Sequence, residues 1–244
     1  MTAKTGKLLV VCPMLPRIAN FDDLDPLKTE ESVDVAMIPP GEPIPAGAAL
    51  IVLPGSKATI ADMAFLREQG WDIDILAHRR RGGAILGLCA GYQMLGSKIA
   101  DPRGVEGAPG ETAGLGLLDH HTVLGAHKTL RRVHGTALGA SFEGYEMHMG
   151  ETHGGTAGEP FAVLDDGERP DGAVSADGRV MGTYCHGLLA SGKLRRALLE
   201  KVGARSNARD HGDYVDAALN ELARHIERHV DVDGLIALAA EGAA

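Results

Sequence analysis

A short apolar strand that leads into a Gly-x-Cys-x-Gly turn and then a helix restricts the fold of this chain more than any other feature. Residues 84–88 are apolar, Cys89 lies between Gly87 and Gly91, and residues 90–97 have helical character. A residue on such a strand-to-helix turn, called a nucleophile elbow, lies at the carboxyl edge of a parallel sheet. The free N–H groups that begin the next helix favour a thiolate over a thiol. The pattern therefore predicts an α/β fold that presents a reactive cysteine.

The rest of the first hundred residues alternates between apolar strands and amphipathic helices. We predict strands at residues 8–12, 33–38 and 50–53, and helices at residues 59–69 and 72–81. This alternation is typical of a mostly parallel sheet with helices on both faces.

The second half of the chain has a less regular pattern. Residues 101–141 are rich in glycine and are interpreted as irregular, with strand-like pieces near residues 122–124 and 130–133. We predict further strands at residues 143–149, 161–164, 171–176 and 179–184, and helices at residues 191–202, 213–229 and 232–240. We expect residues 1–203 to form one domain and residues 204–244 to form a helical extension packed on it.

Charge and cysteine content exclude several classes of protein. The net charge of −9 argues against nucleic-acid binding, which needs a basic surface to neutralise phosphates. Three widely spaced cysteines without a Cys-x-x-Cys pair predict neither a disulfide framework nor a zinc site, and the histidines of the middle region lack metal-ligand spacing. We therefore expect no metal site. The first apolar run is too short for a signal peptide or a membrane span, so we expect no membrane contact and a cytoplasmic location.

A thiol nucleophile needs a base and donors for the charge that develops on its substrate. His186 follows a predicted strand and precedes a glycine, which favours a place at a strand end; an ordinary surface or core-edge histidine is the alternative. Gly55 ends another strand, and its N–H group together with that of Ala90 would form an oxyanion hole. Cys12 and Cys185 are expected to pack in or beside strands. At this point nitrilase-like, protease-like and isomerase-like thiol chemistry all remain open.

Four ordered segments resemble the glutamine amidotransferase domain of the cobyric acid synthase family. They are PGSK at 54–57, GLCAGYQMLG at 87–96, GYEMHMG at 144–150 and GTYCHGL at 182–188. Residues 15–27 are similar to the start of that domain, and the C-terminal helical tail also fits. The resemblance implies a flavodoxin-like fold in which Cys89 attacks the side-chain amide of L-glutamine and His186 carries protons.

The resemblance also implies a division of labour between two halves of an enzyme. A γ-glutamyl thioester forms, ammonia leaves, and a synthetase domain that uses ATP and Mg²⁺ amidates adenosylcobyrinic acid a,c-diamide to adenosylcobyric acid, in cobalamin biosynthesis. This chain has no G-x-x-x-x-G-K-[ST] loop, so we expect no cofactor in it and a synthetase domain or subunit as its partner. Ala90 stands where the family usually has glycine, and its small size keeps the elbow plausible.

The residues that bind the substrate and orient the base are less clearly marked. Arg131 or Arg132 would hold the glutamine carboxylate, and both also fit a basic strand exposed to solvent. We assign Gln93 to the same substrate-binding set. Related amidotransferases with a catalytic triad have a glutamate two residues after the histidine, where this chain has Leu188. Glu146 is one candidate for the group that orients His186, and a plain strand-end charge is the stronger interpretation of it.

Two other functions remain open from the sequence. The motifs are also similar to those of the glutaminase subunit that amidates lipid II in some bacterial cell walls; the segment at residues 15–21 favours the cobyric acid synthase type. A non-catalytic domain that binds a partner or a corrinoid is the third possibility, and the intact Cys89 and His186 argue against it.

Overall fold

The computed structural model describes residues 6–154, 159–167 and 169–241. The helices are α1 (Asp25–Lys28), α2 (Thr59–Glu68), α3 (Trp71–Arg80), α4 (Ala90–Leu95), α5 (Gly192–Lys201), α6 (His211–His229) and α7 (Val232–Glu241). The strands are β1 (Leu8–Pro13), β2 (Ile18–Ala19), β3 (Val33–Ile38), β4 (Ala48–Leu53), β5 (Gly55–Ser56), β6 (Ala84–Leu88), β7 (Lys98–Asp101), β8 (Gly110–Ala113), β9 (His120–Ala137), β10 (Ala140–Gly154), β11 (Ala162–Leu164), β12 (Arg169–Asp171), β13 (Ala173–Val174), β14 (Val180–Thr183) and β15 (Cys185–His186). Among these residues, no helix is both long and apolar enough to cross a membrane.

The central sheet has the order β13-β14-β6-β4-β1-β3, and all neighbours pair in parallel except β13 with β14. Successive side chains of a strand point to opposite faces, so each strand contributes to two cores. Val10 and Leu86 pack with helices α1 and α5 on one face, whereas Val11 and Ile85 pack with α2, α3 and α4 on the other. The predicted mostly parallel sheet with helices on both faces is therefore confirmed.

A second, mostly antiparallel sheet includes part of residues 101–141. The strand-like pieces predicted near residues 122–124 and 130–133 both lie in β9, but the interpretation of this region as irregular was wrong for the rest of β9 and for β8. The strand order is β12-β11-β9-β10-β15, and the pair β7 and β8 joins it through β9. Much of β9 is exposed, so its sequence lacks the apolar run that marks a buried strand; it is held by long antiparallel pairing with β10 instead. Strand β10 then pairs with β15, which brings this sheet against His186.

The C-terminal extension contacts the domain through its first residues and not through its helices. The carboxylate of Glu30 accepts hydrogen bonds from Ser206 Oγ at 2.7 Å and from Asn207 N at 3.2 Å, and it forms a buried ion pair with Arg195 of α5 at 2.6 Å. In contrast, α6 buries none of its residues. The expected packing of the extension is therefore wrong for α6, because the anchoring contacts come from residues 204–210 and leave the helix beyond them uncovered.

Candidate active site

The turn at Cys89 has the geometry of a nucleophile elbow. Cys89 joins β6 to α4 with φ 53° and ψ −110°, a backbone conformation that residues other than glycine rarely adopt. A β-carbon at Gly91 would lie 2.1 Å from the carbonyl oxygen of Leu53, and one at Gly87 would lie 2.7 Å from the carbonyl oxygen of Gly91. Both glycines are thus required for α4 to approach β4 and β6 this closely.

Cys89 is the accessible cysteine of the three. Its side chain is partly buried, whereas Cys12 and Cys185 are fully buried, and burial raises the pKa of both of those thiols. The Cys89 Sγ atom donates a hydrogen bond to the carbonyl oxygen of Met147 at 3.2 Å. The N–H group of Ala90 begins α4, and a first-turn N–H group has no acceptor within its own helix. The sulfur therefore lies beside free donors at a helix N-terminus.

His186 lies at the same edge and is held by a carboxylate that the sequence did not reveal. Its Nδ1 atom is 2.7 Å from Asp23 Oδ2, and Asp23 Oδ1 accepts a hydrogen bond from Gly187 N at 2.7 Å. The Nε2 atom is buried and has no hydrogen-bond partner among the described residues. Asp23 thus fixes the orientation of the imidazole and leaves Nε2 available to a substrate or a thiol.

The protonation of His186 follows from these neighbours. Burial acts to lower the pKa of the imidazole, but the hydrogen bond with Asp23 and the interaction with Cys89 outweigh it and raise the pKa to about 10. The ring of Tyr145 stacks on the imidazole with centroids 5.3 Å apart and planes 21° apart. Asn20 Nδ2 donates to Tyr145 Oη at 2.7 Å, which secures that ring. The site therefore favours the charged form of the imidazole, which lies beside the Asp23 carboxylate and the Cys89 sulfur.

Asp23 and Asn20 belong to the segment at residues 15–27, which we quoted only for its resemblance. This segment forms the short strand β2 and a 3₁₀ turn at Phe21–Leu24 that covers the edge of the sheet. The buried state of Asp23, at 6% exposure, marks it as functional or paired, but a sequence does not show burial. Three acidic residues in a polar loop, Asp22, Asp23 and Asp25, were the signal present.

Gly55 lies at a strand end close to His186, as predicted from the sequence. Strand β5 pairs with β2 through Ala19 opposite Gly55, and a β-carbon at Gly55 would lie 3.6 Å from Cε1 of His186. The Gly55 loop and the start of α4 therefore approach the same space.

The Gln93 side chain is buried and bound by other residues of the protein. Thr59 Oγ1 donates a hydrogen bond to its Oε1 atom at 3.2 Å, and its Nε2 atom donates to the Met149 carbonyl at 3.1 Å. The assignment of Gln93 to direct substrate binding is thus not supported by its geometry; it joins α4 to α2 and β10.

The two arginines differ in their partners. Arg131 Nε donates to Glu146 Oε2 at 2.8 Å, and Glu146 also contacts Arg169 at 2.9 Å and His148 at 2.9 Å. Burial acts to raise the pKa of Glu146, but these three partners hold it at about 2. Glu146 is therefore a buried structural anion and not the group that orients the base, and Arg131 is already paired.

Arg132 is the arginine that remains near the site. It lies opposite Tyr145 across the β9–β10 pair, and directly opposite residues of two paired strands share a face of the sheet. The face that carries Arg132 is thus the one whose Tyr145 ring stacks on His186. A cavity of about 600 Å³ lies there, lined by Leu130, Arg131, Arg132, Glu143, Gly144 and Tyr145.

Comparisons with known proteins agree with this geometry. Residues 9–194 match the sequence profile of the CobB/CobQ-like glutamine amidotransferase domain. The chain is 65% identical over 237 residues to a cobyric acid synthase of Rhizorhabdus wittichii, which covers 97% of this chain and 49% of that protein. It is 62% identical over 234 residues to a cobyric acid synthase of Novosphingobium aromaticivorans, with 96% and 48% covered. The chain thus spans about half the length of these curated relatives.

Solved structures support the fold at lower identity. PurLQS from Thermotoga maritima superposes with a TM-score of 0.57 at 17% identity, over 81% of this chain and 92% of that one. A crystal structure described as a glutamine amidotransferase gives a TM-score of 0.57 at 21% identity, over 80% and 99%. Taken with the match over residues 9–194, these findings show that the chain belongs to the CobB/CobQ-like glutamine amidotransferase domains.

Proposed function

We propose that this domain releases ammonia from L-glutamine through a thioester on Cys89. The observation that carries the proposal is the arrangement at one sheet edge of an accessible thiol on an elbow and a buried imidazole whose Nε2 atom has no hydrogen-bond partner among the described residues. A nucleophile, a base and a third group that orients the base are the parts that such catalysis needs. Asp23 supplies the third part through its 2.7 Å contact with His186.

Each residue has a defined part in the proposed reaction. Cys89 gives its thiol proton to His186 Nε2, and the resulting thiolate attacks the side-chain amide carbon of glutamine, which forms the C–S bond and a tetrahedral oxyanion. The His186 imidazolium gives its Nε2 proton to the departing nitrogen, so the C–N bond breaks and ammonia leaves. A water molecule then attacks the γ-glutamyl thioester while His186 takes its proton, and glutamate and the Cys89 thiolate are released. The raised pKa of His186 favours the protonated form that the first step requires.

Two backbone groups and two side chains fit the substrate. We assign the oxyanion to the N–H groups of Gly55 and Ala90, because both begin or border the loops that face His186. The amino-acid end of glutamine carries one positive and one negative group, and the nearby cavity is lined by Arg132 and Glu143. We assign the α-carboxylate to Arg132, which is not engaged with Glu146 as Arg131 is, and the α-ammonium to Glu143.

We further propose that the ammonia is used by a synthetase half to make adenosylcobyric acid from adenosylcobyrinic acid a,c-diamide in the cytoplasm. The similarity of 97% of this chain to half of a cobyric acid synthase supports this acceptor over lipid II. ATP and Mg²⁺ would act in that half and not in this domain. The accessible thiol beside His186 supports a catalytic role over that of a domain that only binds a partner or corrinoid.

Labelling with the glutamine analogue diazo-oxo-norleucine tests the glutaminase assignment. We expect one adduct per chain, on Cys89, and protection by excess L-glutamine. The buried Cys12 and Cys185 are internal controls that stay unmodified in the folded protein, and Cys89→Ser removes the adduct. An intact chain that gains no adduct, with or without a synthetase half, would leave the binding-domain interpretation as the better one.

Replacement of the orienting carboxylate is expected to weaken the base. Asp23→Asn removes the negative charge beside Nδ1, so the pKa of His186 falls and kcat/KM for glutamine drops on the order of 10²-fold. The raised pKa of His186 contributes stability that is fully present below pH 6.5 and is lost as the pH rises through about 10. In Asp23→Asn this pH-dependent part of the unfolding free energy should shrink.

An NMR titration of His186 and a pH profile of glutaminase activity measure both effects. Asp22→Asn is the matched control, because Asp22 is the exposed neighbour of Asp23 in the same turn. An unchanged His186 pKa in Asp23→Asn would contradict the positioning role even if the activity fell.

A further inference from the structure

Helix α6 carries an apolar stripe that no part of the described domain covers. Val215, Leu219, Leu222 and Ile226 recur at intervals of four, three and four residues, which places them on one face of the helix. Each of these side chains is between 39% and 57% exposed, and the helix buries none of its residues. Scattered exposed leucines need no explanation, but a continuous stripe along 19 residues marks an interaction surface.

An amphipathic helix in this position needs a partner for its own stability. Most of the stability of a helix in a protein comes from packing of its apolar face against another element. The following helix α7 adds the exposed Leu235, Ile236 and Leu238 to the same region of the chain. Both helices are thus better suited to an interface than to solvent.

The base of α6 is fixed to the domain close to the proposed site. Asp210 Oδ1 accepts a hydrogen bond from Gly192 N at 2.7 Å, at the start of α5. Arg195 Nη1 donates to the Leu189 carbonyl at 2.7 Å, and Arg195 also donates to the carbonyl of Arg209 from its Nη2 atom at 2.5 Å. Leu189 lies three residues after His186, so the anchor of α6 and the base belong to one continuous piece of the fold. The start of α6 is therefore attached to the domain.

The comparisons indicate what covers the stripe. The amidotransferase match ends at residue 194, before α6 begins. The match to a cobyric acid synthase covers 237 residues, and since only seven of the 244 residues are left over, most of α6 lies within it. That protein has about twice the length of this chain. Helix α6 is thus shared with a longer synthase but lies outside the residues that match the CobB/CobQ-like amidotransferase domain.

We propose that the apolar stripe of α6 docks on the ATP-dependent half of the synthase, an inference that rests on the proposed function. Docking there would hold the glutaminase site against the half that consumes its ammonia. A second copy of this chain is the competing occupant, and the experiment separates the two.

Hydrogen–deuterium exchange of α6 in a full-length synthase tests the docking. This chain would replace the matched half of the Rhizorhabdus wittichii relative, and ammonia-dependent amidation would verify that the joined protein is folded. We expect α6 amides to exchange at least about tenfold more slowly in the full-length protein than in this chain alone. Leu219→Glu with Leu222→Glu should abolish that protection.

The matched control is Ala217→Glu, which adds one charge on the opposite face of α6 and should leave the protection intact. Equal exchange in the full-length protein and the isolated chain would overturn the docking proposal. Protection of α6 that appears in the isolated chain as its concentration rises would also overturn it, because it would assign the stripe to contact with a second copy. Labelling of Cys89 by the glutamine analogue is read separately in every variant. Lost labelling would count against the glutaminase proposal, whereas lost α6 protection with normal labelling would count against docking alone.

Discussion

Cys89→Ala is expected to abolish glutamine-dependent amidation in the assembled enzyme and to leave ammonia-dependent amidation unchanged. The sulfur is the only group at the elbow that can form the thioester, while externally added ammonia bypasses that step. Alanine fits the elbow because it is smaller than cysteine and keeps the helix start at Ala90 intact. Parallel assays with glutamine and with ammonium salt, on the full-length synthase, measure the two activities.

Cys12→Ala serves as the control for the loss of a thiol. Cys12 is fully buried in β1 and far along the chain from the elbow, so its replacement costs stability and not glutamine chemistry. Glutaminase turnover that persists in Cys89→Ala would falsify the thioester mechanism, whatever the acceptor.

His186→Ala is expected to lower kcat for glutamine hydrolysis by roughly 10²–10⁴-fold, because proton transfer by a positioned side chain contributes an effect of that size. The loss should be larger in kcat than in KM, since His186 is assigned to moving protons and not to holding the amino-acid end of glutamine. Steady-state kinetics of glutamate release measure this split.

An exposed histidine outside the site provides the comparison. His121→Ala changes the same residue type on the exposed side of β9 and should leave both constants unchanged. A His186→Ala variant that keeps most of its kcat would assign the base to another residue.

The central sheet was predictable from the sequence, whereas only parts of the second sheet, in β10 and β11 and in short pieces of β9, were predicted. Strands β1, β4 and β6 are buried on both faces, so they appear as nearly continuous apolar runs; β1 and β4 end at or just before a proline, and β6 ends just before Cys89. Strand β9 is mostly exposed, and its pairing with β10 depends on contacts that no local pattern records. The elbow combined three local signals, namely an apolar strand, glycines on both sides of the cysteine and a following helix, which is why Cys89 could be identified from sequence.

Asp23 could not be found in the same way. It lies 163 residues before His186 in the chain, and its role depends on a fold that brings the two together. The position two residues after the histidine holds Leu188, which is buried and packs in the core. Glu146 was the candidate that the sequence offered, but Arg131, Arg169 and His148 already occupy it. Local sequence therefore located the proposed nucleophile and base, and only the tertiary structure located the carboxylate that contacts His186.

A carbonyl oxygen occupies the space where any larger residue at position 91 would carry its first side-chain atom. That oxygen belongs to Leu53, two residues before Gly55, so one atomic contact sets the spacing between the sulfur and the oxyanion donor on the neighbouring loop. Close packing of α4 on β4 therefore leaves no free space between the turn at Cys89 and the loop at Gly55. We accordingly expect that a substrate enters by movement of the surrounding loops and not by separation of these two elements.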